Sequence, residues 1–534
     1  MRACHHVAGR LLAIALAAAL GLLARPAVAL PRPTPDAVQA AALTPALRRC
    51  LLRLDARLVD GSSPAALAEA AGGRLWSAVH SRTVPLAVVF PRTATAVGRA
   101  VRCAKRAGVK VTARSGGGSF LGYSVRPGTL TLDLSELDGV TVAQNRRSVR
   151  VQGGARLGQL YYHVYKQAGP GVAAVAGTCP NVGVGGHILG GGYGFLTPWH
   201  GLACDQLLSV TMVDANGDLV TASRGKNADL FAASCGGGGG NFGIATEFRL
   251  RLHQAPALFS LATFKIAAAH AVDFLVHWQS RLLPSASSKL LFELHLQPDG
   301  TVSVVAFLPG RRAALDEELA RLGVLQSPWL PGAQLPKGST SELSWIEAMV
   351  VTAGSKARNS SLQALLDFDY MVGRRPAGFA EKSWFALKPL PRRAFPAIFA
   401  VLRKTDATVT VLSTGLKTAV RRRRQRDTAF PWRRALYFMK AAKRVRREAD
   451  VPLLAPALAQ IQRQMAPFFP RQPAYINYID DQASPDPLWS YYGPNLGWLR
   501  QVKAKFDPDG FFNTNPVAIP AAATNRQQPA TAPQ

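Results

Sequence analysis

Acidic side chains are scarce in this sequence. Its 534 residues carry 32 Asp and Glu against 63 Lys and Arg, a formal charge of +31. Such an excess implies attraction to polyanions (nucleic acid, anionic cell-wall polymer or a membrane surface) but identifies no fold. Cysteine is rare too. Of six, Cys4 falls in an N-terminal leader, and Cys50, Cys103, Cys179, Cys204 and Cys235 remain. Five is odd, so at least one stays outside any intramolecular bridge, and the spacing matches no zinc ligand set. Long apolar runs are missing. Leu11 to Ala24 is too short to span a bilayer comfortably, and nothing later is a convincing membrane helix. With Arg2 and Arg10 before it and Ala27-Val28-Ala29 behind it, that run reads as a secretory signal peptide over 1–29, a retained anchor being the alternative. Secretion would permit disulfides. The glycine loop at Arg114 to Ser119 is neither G-x-x-x-x-G-K-[ST] nor G-x-G-x-x-G, so it signals neither an NTPase nor a Rossmann fold.

What the sequence does have is a folded protein's core composition, 48% hydrophobic and 8% aromatic, and enough length for roughly two to four domains. Glycine is concentrated in three runs. Gly177 to Gly194 is the densest, with eight glycines in eighteen residues and Cys179, His187 and Tyr193 among them. The entropy cost of ordering glycine argues against a helix or central strand there and for close approach to a phosphate, a flat ring or another backbone. A strand near Pro85–Phe90, a helix over Ala94–Ala107 capped by Thr93, and a strand at Val109–Ala113 form a β-α-β unit. That second strand runs into Arg114-Ser115-Gly116-Gly117-Gly118-Ser119, whose amides suit an anion. Leu47–Val59 has helical spacing. Strands are expected at Leu130–Leu134, Ser148–Gln152 and Leu207–Asp214, the last turning at Asn216-Gly217 into Leu219–Thr221. The third run, Gly236 to Gly240, leads through Gly243 and Ile244 into a strand. Three glycine runs on one mainly β framework fit one extended ligand.

From about 255 to 465 helices such as Ala267–Leu282 and Ala313–Leu322 alternate with strands such as Lys289–Gln297 and Thr301–Leu308. This reads as an α+β substrate domain, helices over an antiparallel sheet. Strand character returns at Ala474–Ile479, a helix follows at Gly497–Phe506, and the Ala-, Thr-, Pro- and Gln-rich tail over 520–534 reads as disordered.

Several motifs, in order, resemble the berberine bridge enzyme-like branch of secreted FAD-linked oxidases, which have the FAD-binding domain of the p-cresol methylhydroxylase (PCMH) and vanillyl-alcohol oxidase type. They are R-S-G-G-G-S from Arg114, C-P-N-V-G-V-G-G-H from Cys179, G-G-G-G-G-N-F-G-I from Gly236, Y-I-N-Y-I-D from Tyr475, Y-Y-G-P-N from Tyr491 and K-F-D-P-D-G-F-F from Lys505. The resemblance covers nearly all of the chain behind the leader. It implies an α+β fold: a two-part PCMH-type FAD domain over 80–254 and 471–519, an N-terminal lead-in over 30–79 and a substrate domain over 255–470.

The resemblance also implies roles. Arg114, Ser115, Gly116, Gly117, Gly118 and Ser119 would hold the FAD pyrophosphate. Cys179 would bond covalently to the flavin, and Val182, Gly183, Gly185, Gly186, Gly240, Gly243, Ile244 and Asn477 would contact the cofactor. The family's second, histidyl link would fall at Gly118, so attachment would be single, through Cys179. Val182 matches an open oxygen gate, favouring an oxidase over a dehydrogenase. Cys50 and Cys103 match a family disulfide; closing a loop of about fifty residues would stabilise by roughly 3–4 kcal/mol. Cys204 and Cys235 match no family role, and Cys235 reads as a buried structural thiol.

Oxidising an alcohol through flavin requires a base for the O–H proton and a flavin positioned to accept hydride. The resemblance puts Tyr478 as the base and Tyr193 beside it, able to share its proton; from spacing alone Tyr478 reads as a core aromatic. A tyrosine near pKa ~10 needs a cation or donor to become useful. Lys440 falls near the substrate-facing strand, where it would favour an acidic substrate or depress a tyrosine. His187 reads as structural or flavin-contacting. The run Arg421 to Arg424 lacks interleaved aromatics, which disfavours nucleic acid. It reads as a solvated insertion, or as a contact to anionic polysaccharide or membrane. Asn359-Ser360-Ser361 is a glycosylation sequon. The expected function is therefore a secreted FAD-dependent oxidase of small-molecule hydroxyls that reduces molecular oxygen. The alternatives are a flavin dehydrogenase and a non-catalytic polyanion-binding protein.

Overall fold

The computed structural model describes residues 42–76, 78–325, 328–330, 335–336, 338–352, 361–368, 376–413, 417–480 and 485–523. The leader, Asn359 and Ser360 of the sequon, and most of the tail at 520–534 lie outside the described residues. Among the described residues no helix is long and apolar enough to cross a membrane.

The β-α-β expectation holds. Strand Ala87–Pro91 leads into helix Ala94–Arg106, whose N-cap Thr93 side chain accepts from the Ala96 N–H, and then into strand Val111–Arg114. Strand Leu130–Asp133 sits between those two, parallel to both. The helix expected over Leu47–Val59 stops early. Pro45–Leu52 is helical, but Ala56–Asp60 pairs antiparallel with Ala87–Pro91 as the fourth strand. The open edge of Ala87–Pro91 offers hydrogen bonds that outweigh local helical spacing.

A second, antiparallel sheet runs Val140–Val142, Ser148–Gln152, Ile244–Arg251, Leu207–Val213 and Leu219–Ser223. The last two form the expected hairpin, with Gly217 at φ 79° in the turn. A third sheet of seven antiparallel strands runs Thr340–Leu343, Phe259–Ile266, Val302–Pro309, Leu291–Leu296, Thr408–Ser413, Tyr437–Val445 and Gly378–Ala386. Its two faces follow the period of two. Trp384, Val411, Met439 and Phe264 face a core shared with helices Ala268–His277, Ala394–Thr405 and Leu454–Met465. Phe385, Leu412, Phe438 and Leu261 face the opposite way, into the core of the second sheet and its loops.

Two sequence expectations fail here. Cys235 is not a thiol; it is bridged to Cys204, as Cys50 is to Cys103, and among the described residues Cys179 is the free one. The hairpin between Cys204 and Cys235 returns the chain so that they meet, a long-range contact that spacing does not encode. The strand expected at Ala474–Ile479 is a 3-10 turn, Ile476–Tyr478; it lies along the edge strand Gly378–Ala386, but the Tyr475 N–H goes to the Ser383 hydroxyl instead of a ladder carbonyl.

Candidate active site

The three glycine runs converge on a single cleft, a cavity of about 320 Å³. Gly116 and Gly183 come so close that a Cβ on Gly116 would lie 2.3 Å from the Gly183 nitrogen, and one on Gly183 2.2 Å from the Gly116 nitrogen. Only glycine permits two loops to touch backbone to backbone in this way. The Ser115 hydroxyl secures the junction, donating to the Gly153 carbonyl at 2.6 Å and accepting from the Gly185 N–H at 3.2 Å. The amides of Gly116 to Ser119 donate to no protein acceptor among the described residues. They remain available to a ligand. Cβ positions on Gly118, Gly186 and Gly240 would point into open or nearly open space.

The glycine-rich run contains a helix that propensity argued against, Val184–Leu189. Val184, Ile188 and Leu189 are buried in the main core, and that packing outweighs the cost of ordering Gly185 and Gly186. His187 on this turn accepts from the Gly177 N–H through Nε2 at 2.9 Å. Burial pulls its pKa down to about 4, so the ring is neutral and serves as an acceptor. It is a poor candidate for a base near neutral pH.

Ser115 to Ser119, Val182, Gly183, Gly185, Gly186, His187, Tyr193, Gly240, Gly243, Ile244, Asn477 and Tyr478 all reach the cleft wall. Two expected residues do not. Arg114 is fully buried behind it, donating to Asp133 at 2.6 Å and to the carbonyls of Ala70 and Ala71. Its guanidinium is engaged in the framework, which corrects its expected phosphate contact. Cys179 is partly exposed next to that wall, its carbonyl accepting the Val182 N–H at 3.2 Å, and desolvation pushes its thiol pKa up. The sequence reading missed Phe120, Tyr475, Tyr492, Phe512 and Val517 as wall residues. The motifs from Tyr475, Tyr491 and Lys505 marked those regions but not which side chains turn inward.

Tyr478 is held on every side. Its ring stacks on Phe438 at 5.5 Å and on Phe120 at 6.1 Å, with Tyr475 edge-on at 5.3 Å. The Lys440 ammonium lies 4.8 Å from its centroid. Tyr193 packs on the same Phe438 and Tyr475 rings as Tyr478, and burial, with Tyr478 beside it, pushes the Tyr193 pKa well up. Burial pushes the Tyr478 pKa up, while Lys440 and Tyr193 pull it down and Glu381 adds to the rise. Asn477 donates to the Tyr475 hydroxyl at 3.0 Å and to the His187 carbonyl at 3.1 Å, so it orients the turn as well as lining the cleft.

Lys440 is where the substrate-facing strand was expected to bring it, but not as a free charge. Its ammonium lies 3.1 Å from Glu381. Burial pulls the Lys440 pKa down, and Glu381, Tyr478 and Glu293 more than offset this, so it stays protonated. His295, Thr410, Lys440 and Ser383 stand opposite one another across four strands. They form a polar row on the face that also carries Glu293, which pairs with His295 at 3.1 Å.

The arginine run is only partly solvated. Arg423 reaches Asp205 at 3.2 Å, beside Arg433 at 2.8 Å, whereas Arg422, Arg424 and Arg426 are exposed. Cys204, Asp205 and Cys235 cluster at metal-ligand spacing, but the disulfide occupies both sulfurs.

Comparison with known proteins agrees with this geometry. Residues 85–223 match the family model described as FAD binding domain, and 474–519 match Berberine and berberine like. Berberine bridge enzyme-like 7 of Arabidopsis thaliana is 30% identical over 465 residues, covering 82% of this chain and 84% of its own. The structure of Phl p 4, a grass pollen allergen with glucose dehydrogenase activity, superposes with a TM-score of 0.78 at 25% identity, covering 90% of this chain and 100% of that one. A chitooligosaccharide oxidase superposes with a TM-score of 0.77 at 25% identity and the same coverage.

Proposed function

This chain belongs to the berberine bridge enzyme-like family of FAD-linked oxidoreductases, and on that footing we propose that it is an exported oxidase of hydroxyl-bearing small molecules, sugars or phenylpropanoids, with molecular oxygen as acceptor and hydrogen peroxide as product. The cleft fits the cofactor. Free amides at Gly116 to Ser119 suit a pyrophosphate, and the open space beside Gly118, Gly186 and Gly240 leaves room for flat rings. Gly183, Gly185, Gly240, Gly243, Ile244 and Asn477 would complete the cradle, with Cys179 as its single covalent anchor. FAD, when bound, supplies the hydride acceptor and delivers two electrons onward to oxygen.

The observation that carries the reading is the setting of Tyr478. A phenol in the cleft wall, beneath a lysine and beside a second tyrosine that pulls its pKa down, can take the proton of a substrate hydroxyl. Lys440 stabilises the phenolate, Tyr193 shares the proton, and Phe438 and Phe120 fix the ring plane. Since Glu381 neutralises Lys440 and Glu293 lies close by, a substrate carboxylate gains no free cation here. Neutral hydroxyl compounds fit better than the acidic substrate that an unpaired Lys440 would have favoured. The glucose-oxidising and chitooligosaccharide-oxidising neighbours support a sugar. Two disulfides support export.

Anaerobic mixing of the flavoprotein with sugars, aromatic alcohols and alkaloids tests this. Bleaching by a hydroxyl compound is expected, followed by rapid recovery and stoichiometric peroxide on admitting air. Slow recovery would favour the dehydrogenase reading, for which the Phl p 4 neighbour speaks. Flavin that no compound bleaches would favour the non-catalytic one.

A further inference from the structure

A second cavity of about 540 Å³ lies between helices Pro45–Leu52 and Ala94–Arg106, away from the glycine loops. Each helix presents one stripe at i, i+3, i+4, i+7 spacing: Ala46, Arg49, Cys50 and Arg53 on the first; Arg99, Arg102, Cys103 and Arg106 on the second. The Cys50–Cys103 disulfide joins the stripes, so five guanidinium groups line one groove. The opposite face of the second helix, Val97, Ala100, Val101 and Ala104, is buried on the first sheet.

Neutralisation is sparse. Among the described residues only Arg102 reaches a carboxylate, Asp218 at 3.4 Å, and it also donates to the Gly217 carbonyl at 2.6 Å. Arg99 donates to the Arg53 carbonyl and Arg106 to the Cys50 sulfur. Arg49 and Arg53 are exposed. Nearby arginines are treated differently: Arg48 pairs with Asp60, Arg57 with Glu136, and Arg92 with Asp55 and Glu136. Like charges three and four residues apart oppose helix formation. A covalent bridge that gathers five of them therefore makes physical sense when an anion completes the site.

We propose that this groove docks an acidic polysaccharide, its carboxylates held by the forks of Arg49, Arg53, Arg99, Arg102 and Arg106. Guanidinium binds carboxylate through paired, directional hydrogen bonds, and it keeps its charge at any physiological pH. Among the described residues no aromatic ring lines the groove, so they offer nothing for a nucleic-acid base to stack on. The site differs from the Arg421 to Arg424 run, where Arg423 is already paired with Asp205. It would hold the holoenzyme on an acidic glycan while leaving the cleft free.

The test measures holoenzyme binding to polygalacturonate by affinity electrophoresis and co-sedimentation over a salt series, with duplex DNA as a parallel probe. An Arg49→Gln/Arg53→Gln/Arg99→Gln variant is compared with Arg422→Gln/Arg424→Gln/Arg426→Gln, which removes equal charge elsewhere. The expected result is a loss of roughly tenfold or more in affinity for the first variant alone, with flavin absorbance and turnover unchanged in both. Equal losses in the two would reduce the effect to net charge and overturn the proposal. So would tighter binding of DNA than of polygalacturonate. Arg53→Gln alone, at an exposed side chain, gives the same sign on a smaller scale should the triple variant fold poorly; no effect from it would count against the groove.

Discussion

Tyr478 and Lys440 make the chemistry of this site a matter of individual charges. Lys440 favours the Tyr478 phenolate and Glu381 opposes it, so their removal has opposite signs. In Lys440→Gln the phenol loses its cation, its pKa rises, and the ascending limb of the pH–rate profile for flavin reduction is expected to move to higher pH. In Glu381→Gln the lysine acts unopposed and the limb is expected to move lower. Rapid-mixing reduction rates across pH read both, and shifts of the same sign would remove Tyr478 as the base. Lys440→Gln also strands the Glu381 carboxylate in a buried setting, at a cost of about 3–5 kcal/mol, visible in thermal unfolding. His187 titrates in the acid range. Its folded pKa of about 4 lies below the ordinary value near 6.5, so the unfolded chain binds the extra proton between those values. Stability is therefore expected to fall as pH drops from 6.5 towards 4, by on the order of 2–3 kcal/mol from this residue. Urea unfolding midpoints of wild type and His187→Gln, whose amide oxygen can still accept from Gly177, would show a flatter acid dependence in the variant. At Cys179 the expected outcome is binary. Acid-denatured wild type retains its flavin on the chain, and Cys179→Ala releases all of it.

At the scale of elements, the loops matter through their backbones. Gly116 and Gly183 pack main chain on main chain, so Gly116→Ala forces a Cβ against the Gly183 nitrogen at 2.3 Å. Backbone cannot swing aside as a side chain can. Gly116→Ala protein is expected to purify with little flavin and to melt lower than wild type. Gly118→Ala, whose Cβ meets nothing within 4 Å, is expected to fold normally, which makes it the control. The glycine content announced close approach, but not which glycine touches backbone and which faces the cleft. Val184–Leu189 teaches the complementary lesson: three buried aliphatic side chains stabilise a helix through residues that disfavour it.

Across the whole molecule, one buried hub ties the C-terminal return to the glycine loops. Asp507 pairs with Lys503 at 2.6 Å and accepts the N–H groups of Phe511 and Phe512, while Lys503 also donates to the Asn241 carbonyl. Phe512 and Asn241 both line the cleft. Asp507→Asn keeps the shape but leaves the Lys503 ammonium without its counter-charge, so a loss of about 3–5 kcal/mol is expected. Flavin release should precede global unfolding in a fluorescence-monitored melt. The polar row of His295, Thr410, Lys440 and Ser383 is a product of the same scale. Those four residues come from four separate strands, and the sheet register alone aligns them.

The amino-acid sequence by itself determined the family, the β-α-β start, the Asn216-Gly217 hairpin, the alternation of helices and strands around the third sheet and the gathering of the glycine runs at one place. These are local patterns or ordered motifs, and a chain read in one dimension preserves them. Only the tertiary structure decided that Cys204 meets Cys235, that Arg114 turns into the framework, that Ala56–Asp60 is a strand, and that Glu381 cancels Lys440. Each of these depends on a partner distant in sequence or on an open strand edge. Burial and register settle such contacts, and spacing along the chain carries no record of either.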